Sequence, residues 1–542
     1  MKIFDSNNLL TKYFEFKFSE SIYCTSYFVY KFILYILGFI GFSVINNLIL
    51  FLLFFVRIKR NDSNFLYKVF LIIASLVILY TDSFLPGLDQ ILSQLEGTSF
   101  NYKLDLLYDL INKNYILGFA GIYFICFLIT DYLHGYAFVS VVFCIITFNA
   151  FSPYFIEKKI TEYNLPNNLP QSTDIPPQIG DATNENIESY LKTFLEKEKD
   201  RLTSFPEALP ENFEPFDILI VNICSMATDD IQAVKQDKHK VFEKFDLRFD
   251  NFNSVSSYST PATMRLLRAN CGQETESDMY SRARSECSLL NSLSQLGYQT
   301  KVFFDHNGVY GDYLKTLGEL GELPQKLYPL SSLNIRYNSF DGSPIYSDES
   351  VFRAYIEEAK KASGLTLGFM NLISLHDGNR LPGMNKAESY GPRLLRMLND
   401  LDYLVEGLKK SGRKTMLVVI PEHGAAIRGD KMQIARLREI PTSKITRIPT
   451  MIKFFGLNEN TSQPEQITVH GSYSYLALSE IIKRAVENNI FSSGHETATV
   501  EEIATDLPQQ AYISESTNAF YMNFVGKDFY KLKGDEWSEY KN

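Results

Sequence analysis

The 542-residue sequence predicts two unlike parts: an N-terminal α-helical membrane domain and a C-terminal α/β/α domain on a mostly parallel sheet. Three observations predict this. Residues 1–152 carry only 10 Lys/Arg and 10 Asp/Glu of the chain's 53 and 63, so the net charge of −10 falls on the remainder. The same stretch holds four or five apolar segments in a row. From Phe216 onward, continuous apolar runs alternate with helical patterns. The charge split excludes a fully soluble chain, a disordered chain and a basic nucleic-acid binder, and no nucleic-acid partner is expected.

Residues 1–152 read as the membrane domain. Phe28–Val56 is apolar apart from Lys31 and Asn46-Asn47. One crossing needs roughly 20 residues, so this run is either two tight passes meeting near Gly41–Ser43 or one long tilted helix. Phe65–Tyr80, Tyr115–Thr130 and Tyr136–Phe151 are clearer segments, giving about five transmembrane helices, with four as the alternative. The strongest basic cluster is Arg57-Ile58-Lys59-Arg60, and such clusters stay cytoplasmic; five passes then leave everything after Phe151 outside. A polar N-terminus and a long first apolar stretch argue against a cleavable signal peptide. Residues 153–212 are rich in Pro, Asn, Gln and Thr, with one charged helical stretch at Glu185–Leu202. They read as an exposed tether with a short helix.

Residues 213–542 form the exported catalytic domain in this reading. Phe216–Cys224, Thr415–Ile420, Leu365–Ile373 and Lys301–Phe304 are continuous apolar runs, the pattern of buried parallel strands. Helical patterns at Met264–Ala269, Tyr280–Leu296 and Arg393–Lys410 lie between them. Such sheets bind ligands beyond the C-terminal strand ends. Reactive residues gather there: Cys224, Asp305-His306, His376-Asp377 and Glu422-His423. Beyond the membrane part, residues 1–152, only Cys224, Cys271 and Cys287 remain. Cys271 and Cys287 flank a loop before a helix and are a candidate pair, which leaves Cys224 as an odd thiol. A thiolate, an imidazole and a carboxylate from Cys224, His423 and Glu422 make a zinc set with an open position; the alternative is a small buried apolar cysteine. Pro261 suits the first turn of a helix and Ser259 or Thr260 its cap, where helix amides welcome a phosphate, and Ser257, Ser259 and Thr260 are the candidate hydroxyls. Spacing does not choose among these hydroxyls.

Several long stretches together resemble the BcsG family of cellulose phosphoethanolamine transferases. They include Phe245–Ser254, Tyr258-Ser259, Arg265–Arg268, Cys271–Gln273, Phe340–Pro344, Leu375–Asn379, Pro421–Ala425, Gly429–Gln433 and Lys453–Gly456, all in one order. The resemblance implies an alkaline-phosphatase-like metalloenzyme fold. It implies Ser259 as nucleophile, Zn2+ on Cys224, Glu422 and His423 with Ser259, and a Cys271–Cys287 disulfide. It implies His376 for the phosphate or leaving group and Tyr258 lining the pocket. Asp305, His306 and Arg265 are assigned to substrate binding, with a plain turn as the competing reading of Asp305–Gly308. The implied donor is phosphatidylethanolamine and the implied acceptor a glucosyl 6-hydroxyl of cellulose. Subunits of a cellulose synthase complex are the implied partners, and the implied location is the bacterial inner membrane with the catalytic domain in the periplasm.

Other residues carry weaker expectations. His470 lies roughly where relatives with other substrates carry a further zinc-site histidine. His239 and His495 are expected at the surface and His134 at the membrane interface. Trp537, the only tryptophan, is expected to pack the chain end rather than to bind sugar. Competing functions are transfer of phosphoethanolamine or phosphoglycerol to lipid A or another glycan, hydrolysis, and a non-catalytic scaffold. Ser259-Thr260-Pro261-Ala262-Thr263-Met264-Arg265 is misspaced for a sulfatase.

Overall fold

The computed structural model describes residues 20–37, 40–54, 61–83, 113–129, 139–143, 175–178, 180–430, 432–433, 435–458, 465–493 and 497–541. The chain divides into two compact units, Met1–Gly87 with Leu106–Asn168 and Leu88–Asp105 with Leu169–Asn542.

Among the described residues of the first unit the longest helices are α1 (Glu20–Ile36), α2 (Val44–Leu53), α3 (Asn61–Thr81) and α4 (Lys113–Ile129). The apolar run Phe28–Val56 is therefore divided between two helices. Phe28, Phe32 and Phe51 all pack against Phe143, with ring centroids 5.4–5.7 Å apart. Polar groups are sequestered among them. Lys31 Nζ lies 2.8 Å from Asp82 Oδ2 and donates to Asn47 Oδ1 at 2.7 Å. Asn47 Nδ2 and the Ser43 amide donate to the Asp82 carboxylate as well. Outward faces stay apolar: Ile45, Leu66 and Leu117 are 72, 68 and 69% exposed. Among the described residues no helix is long and apolar enough to cross a membrane. Helices α1, α2 and α4 have 17, 10 and 17 residues, and the 21-residue α3 opens on Asn61-Asp62-Ser63-Asn64. The segment expected at 136–151 is described only at Val139–Phe143. The chain's first 19 residues, Arg57–Arg60, His134, His495 and residues 153–174 lie outside the described residues.

The second unit is built on a seven-stranded sheet: β1 (Asp217–Ile223), β2 (Leu247–Phe249), β3 (Gln299–Phe304), β4 (Thr366–Leu372), β5 (Thr415–Pro421), β6 (Met451–Phe455) and β7 (Ile467–Val469). Its spatial order is β7-β2-β6-β5-β1-β4-β3, and only β6 runs against the rest. The four apolar runs of the sequence are its neighbouring strands β5, β1, β4 and β3, with β3 at the edge. Every residue of β1, β4 and β5 is buried, because helices cover both faces. Ile218 and Ile220 of β1 enter one core, with Met264, Leu317 and Leu478. Leu219, Val221 and Ile223 enter the other, with Phe352 and Leu398. This is the expected α/β/α layering with a mostly parallel sheet.

Two local expectations change. The Tyr280–Leu296 pattern becomes a helix only at Leu289–Gln295. Ser288 caps it by accepting from the Asn291 amide, and the Cys271–Cys287 disulfide closes the loop before it. The helix expected in the tether, α5 (Asn184–Glu198), is built into the globular unit. Ile187, Tyr190, Leu191 and Phe194 fall on one face at helical spacing. They bury against a four-stranded antiparallel sheet of β8 (Ile513–Ser516), β9 (Ala519–Phe524), β10 (Lys527–Leu532) and β11 (Ser538–Glu539). Trp537 joins this small core, and its indole N–H donates to Glu188 at 2.8 Å. It packs the chain end, as expected.

Candidate active site

The register of the central strands aligns the ends that carry the reactive residues. Ile223 pairs with Leu372 on one side and with Pro421 on the other. Cys224 follows β1 directly, and Glu422-His423 follow β5. Helix α6 (Ser259–Leu267) brings its first residue to the same place. Tyr258, not Ser259 or Thr260, takes the cap position, without a side-chain cap bond. Of Ser257, Ser259 and Thr260, Ser259 brings its hydroxyl to the cluster, 3.2 Å from His423 Nε2 and 3.4 Å from Cys224 Sγ. Ser257 is buried instead.

The carboxylate of Glu422 is held asymmetrically. Its Oε1 accepts from Thr263 at 3.0 Å, from Tyr313 at 3.0 Å and from Asn371 Nδ2 at 2.6 Å. Its Oε2 is buried with no hydrogen-bond partner. Such an atom is costly unless something occupies the place it faces. Ligand atoms of Cys224, Glu422 and His423 all lie within 4.8 Å of one another. His423 Nδ1–H donates to the Gly424 carbonyl at 2.8 Å, which leaves the Nε2 lone pair toward Cys224 and Ser259. A backbone carbonyl behind a histidine is how metal-bound imidazoles are oriented. Burial pushes the Cys224 thiol well up, and the Glu422 charge adds to the shift. Burial and then the charge of Arg438 push His423 well down. The three side chains thus fit one cation, with soft, borderline and hard donors together.

Asp230, fully buried, braces the loop that presents this set. Its carboxylate accepts from the amides of Ala227, Ala425 and Ile427, tying the loop after β1 to the loop after β5. The approach is tight: a Cβ on Gly424 would lie 2.6 Å from the Ala227 Cβ.

Ser259 opens into a cleft of about 840 Å³. Tyr258 and His376 line it. The Tyr258 hydroxyl donates to Glu439 at 3.4 Å, and its ring lies 5.4 Å from the Arg438 guanidinium. Arg438 also meets His423, with Nη1 2.9 Å from Nδ1 and 3.3 Å from Nε2. His376 Nδ1–H donates to the Asp377 carbonyl at 2.8 Å, so Nε2 is its basic nitrogen. Burial and Arg438 lower its proton affinity.

The structure gives other work to three expected substrate-binding residues. Arg265 turns away from the cleft and anchors the disulfide loop, donating to Ser256 Oγ at 3.0 Å and the Glu274 carbonyl at 2.6 Å. Asp305 is fully buried, and both oxygens accept from the Ile373 amide, so it shapes the turn after β4. His306 lines the cleft, but both ring nitrogens are engaged. Its Nδ1 accepts from the Gly308 amide at 3.1 Å, and Nε2–H donates to Asn371 Oδ1 at 2.9 Å. Burial pushes it down to about 4. It is a neutral link that orients Asn371, which in turn donates to Glu422. His470 is exposed and pairs with Asp250 at 2.6 Å. His239 is a surface residue bonded to Asn399.

Sequence reasoning missed Arg438, Tyr313, Thr263 and the Asn222–Asn371 pair. The two asparagines were findable. They are cross-strand partners and interrupt otherwise apolar buried strands, with Asn371 Nδ2 donating to Asn222 Oδ1 at 3.0 Å.

Two family models match the chain: the cellulose biosynthesis protein BcsG N-terminal domain over residues 25–148 and the C-terminal domain over residues 171–537. The BcsG protein of Salmonella typhimurium is 34% identical over 536 residues, 95% of each chain. That of Escherichia coli K12 is 32% identical over 534 residues, again 95% of each. The chain belongs to the BcsG family. Solved structures overlap more loosely. An alkaline phosphatase superfamily protein of Vibrio parahaemolyticus has a TM-score of 0.45 at 13% identity, covering 62% of this chain and 81% of that one. The periplasmic domain of Escherichia coli EptC, solved with Zn, has a TM-score of 0.41 at 15% identity, covering 58% and 93%.

Proposed function

We propose that this BcsG-family protein transfers phosphoethanolamine from phosphatidylethanolamine to glucosyl 6-hydroxyls of cellulose through a phosphoethanolamine-Ser259 intermediate. The observation that carries the reading is the Ser259 hydroxyl at a helix N-terminus, against a buried Cys–Glu–His set whose Glu422 Oε2 lacks a partner. In this reading the fold is alkaline-phosphatase-like, and Cys224, Glu422 and His423 hold Zn2+. Bound there, the metal lowers the pKa of the serine hydroxyl and offsets phosphoryl charge.

The chain's own residues do the rest. The first-turn amides of α6 have no helical partners and face the incoming anion. Ser259 Oγ forms a bond to phosphorus while the bond to the diacylglycerol oxygen breaks. Arg438 stands beside His423 to stabilise the equatorial phosphoryl oxygens. In the second half the acceptor hydroxyl displaces Ser259 from phosphorus. His376 Nε2 takes that hydroxyl's proton and returns it to the diacylglycerol alkoxide of the next cycle.

Residues 1–152 are then the membrane domain in the inner membrane, of about five passes. The exposed Ile45, Leu66 and Leu117 support lipid contact for that unit. Residues 213–542 work in the periplasm beside a lipid donor, with subunits of a cellulose synthase complex as partners. The disulfide supports an oxidising compartment.

The test uses full-length protein in detergent with zinc and a chromogenic phosphoethanolamine ester. Release of chromophore by wild type and not by Ser259→Ala, with a phosphoethanolamine adduct on Ser259 by intact mass, is expected. Unchanged release in Ser259→Ala would sink the reading. Solid-state NMR of cellulose from cells with and without the gene tests the acceptor, and unmodified polymer in both refutes cellulose.

A further inference from the structure

A phosphoethanolamine headgroup is a zwitterion. Cys224, Glu422, His423 and Arg438 account for its phosphate, and none of them suits its ammonium. The cleft has a second pole. Glu276 lines it and is only 4% exposed. Thr517 Oγ1 donates to its Oε1 at 2.7 Å, while its Oε2 is buried with no hydrogen-bond partner. Arg265 acts on Glu276 electrostatically, but its Nε and Nη1 donate to Ser256 and the Glu274 carbonyl. Burial pushes Glu276 up, beyond what Thr517 and Arg265 offset, so its charged form lacks full compensation from the protein's own groups. Glu439 stands on the same cleft, held by Asn518 at 2.9 Å and by Tyr258 at 3.4 Å. Tyr280, 52% exposed, completes this wall with an aromatic surface.

Glu439 follows Arg438 in sequence, so an anionic and a cationic group stand side by side at the cleft, next to Tyr258-Ser259. That is the polarity of a phosphoethanolamine unit, in which a two-carbon bridge separates phosphate from amine. A carboxylate oxygen without a partner binds an ammonium by a charge-assisted hydrogen bond, which compensates the buried charge in the complex.

We propose that Glu276, with Glu439 on the same cleft, is the subsite that recognises the primary ammonium of the donor headgroup. The proposal rests on the phosphoethanolamine reading above and adds the residue that selects this headgroup over one without an amine.

The test compares two aryl diesters that differ by the terminal amine: 4-nitrophenyl phosphoethanolamine and 4-nitrophenyl ethyl phosphate, which lacks it. Full-length wild type and Glu276→Gln are assayed in detergent with zinc. Glu276→Gln is expected to raise KM for the amine diester by about tenfold or more, with kcat within about twofold. Its constants for the ethyl diester stay those of wild type, which also reports an intact fold. Glu276→Asp keeps the carboxylate and is expected to retain the preference for the amine. Equal effects on both diesters, no effect on either, or an Asp variant as indifferent as the Gln variant would overturn the proposal. Failure of the parent reading looks different: wild type then cleaves neither diester, or Ser259→Ala cleaves both.

Discussion

Asp82 in the first unit and Glu422 in the second are both buried acids, but their surroundings differ. The Asp82 carboxylate meets a lysine, an asparagine amide and a backbone amide. Glu422 has one oxygen held by Thr263, Tyr313 and Asn371, and the other without a partner. A closed network specifies how helices meet. A half-open one marks a place for something the chain does not supply. The same reasoning that sets Glu422 apart from Asp82 also singles out Glu276.

Substitutions can break the comparison. Ser259→Ala should have the largest effect, lowering turnover of a chromogenic phosphoethanolamine ester by roughly a thousandfold or more. Asp82→Asn should cost about 3–5 kcal/mol, because Lys31 stays buried without its counter-charge; unfolding in detergent measures it. Glu422→Gln should behave in the opposite way. Its carbonyl still accepts from the three donors, so stability of the metal-free protein should change by about 1 kcal/mol or less. Bound metal, measured by elemental analysis, should be lost from the same variant. A strongly destabilised Glu422→Gln would erase the distinction drawn here.

Smaller effects sharpen it. Asp230→Asn places an amide against three backbone donors and should cost about 1–3 kcal/mol. The pH dependence follows from raised acids: burial pushes Asp230 up to about 6 and Glu515 up to about 7. Their folded-state values exceed their unfolded ones, so the folded state holds more protons between about pH 4 and 7. Their contribution to stability is therefore full below pH 4 and is lost as pH rises through 6 and 7. Melting temperature of Asp230→Asn should lack part of that slope. Trp537→Phe removes one hydrogen bond, to Glu188, and should cost about 1 kcal/mol.

Legibility followed the same physics. Strands β1, β4 and β5 were visible because strands covered on both faces read as unbroken hydrophobic runs, and the edge strand β3 showed only through its buried end, Val302–Phe304. Strands β2 and β7, three residues each, are too short to show a period. Strand β6 carries Lys453 inside it, on a bond to Asp246. Cys224, Glu422 and His423 were visible because they sit at strand ends, whereas the helix start marked Ser257, Ser259 and Thr260 together and only the family resemblance singled out Ser259. Arg438 lies on a long loop with no period at all. Arg265 and Asp305 misled because a charged residue near a site resembles a ligand-binding one until its own partners are known. The helix at 184–198 misled because a polar, proline-rich neighbourhood hid its apolar face.

Cys271 and Cys287 close the loop that carries Glu276 and Tyr280, while Ser259, Cys224, Glu422 and His423 all lie outside it. Pairing of these cysteines therefore separates two stages of maturation. A reduced chain still carries the proposed nucleophile and cation ligands but lacks the covalent clasp on the proposed amine-reading wall. Under the headgroup proposal, reduction of this one bond should loosen the wall that reads the amine and leave Cys224, Glu422, His423 and Ser259 in place.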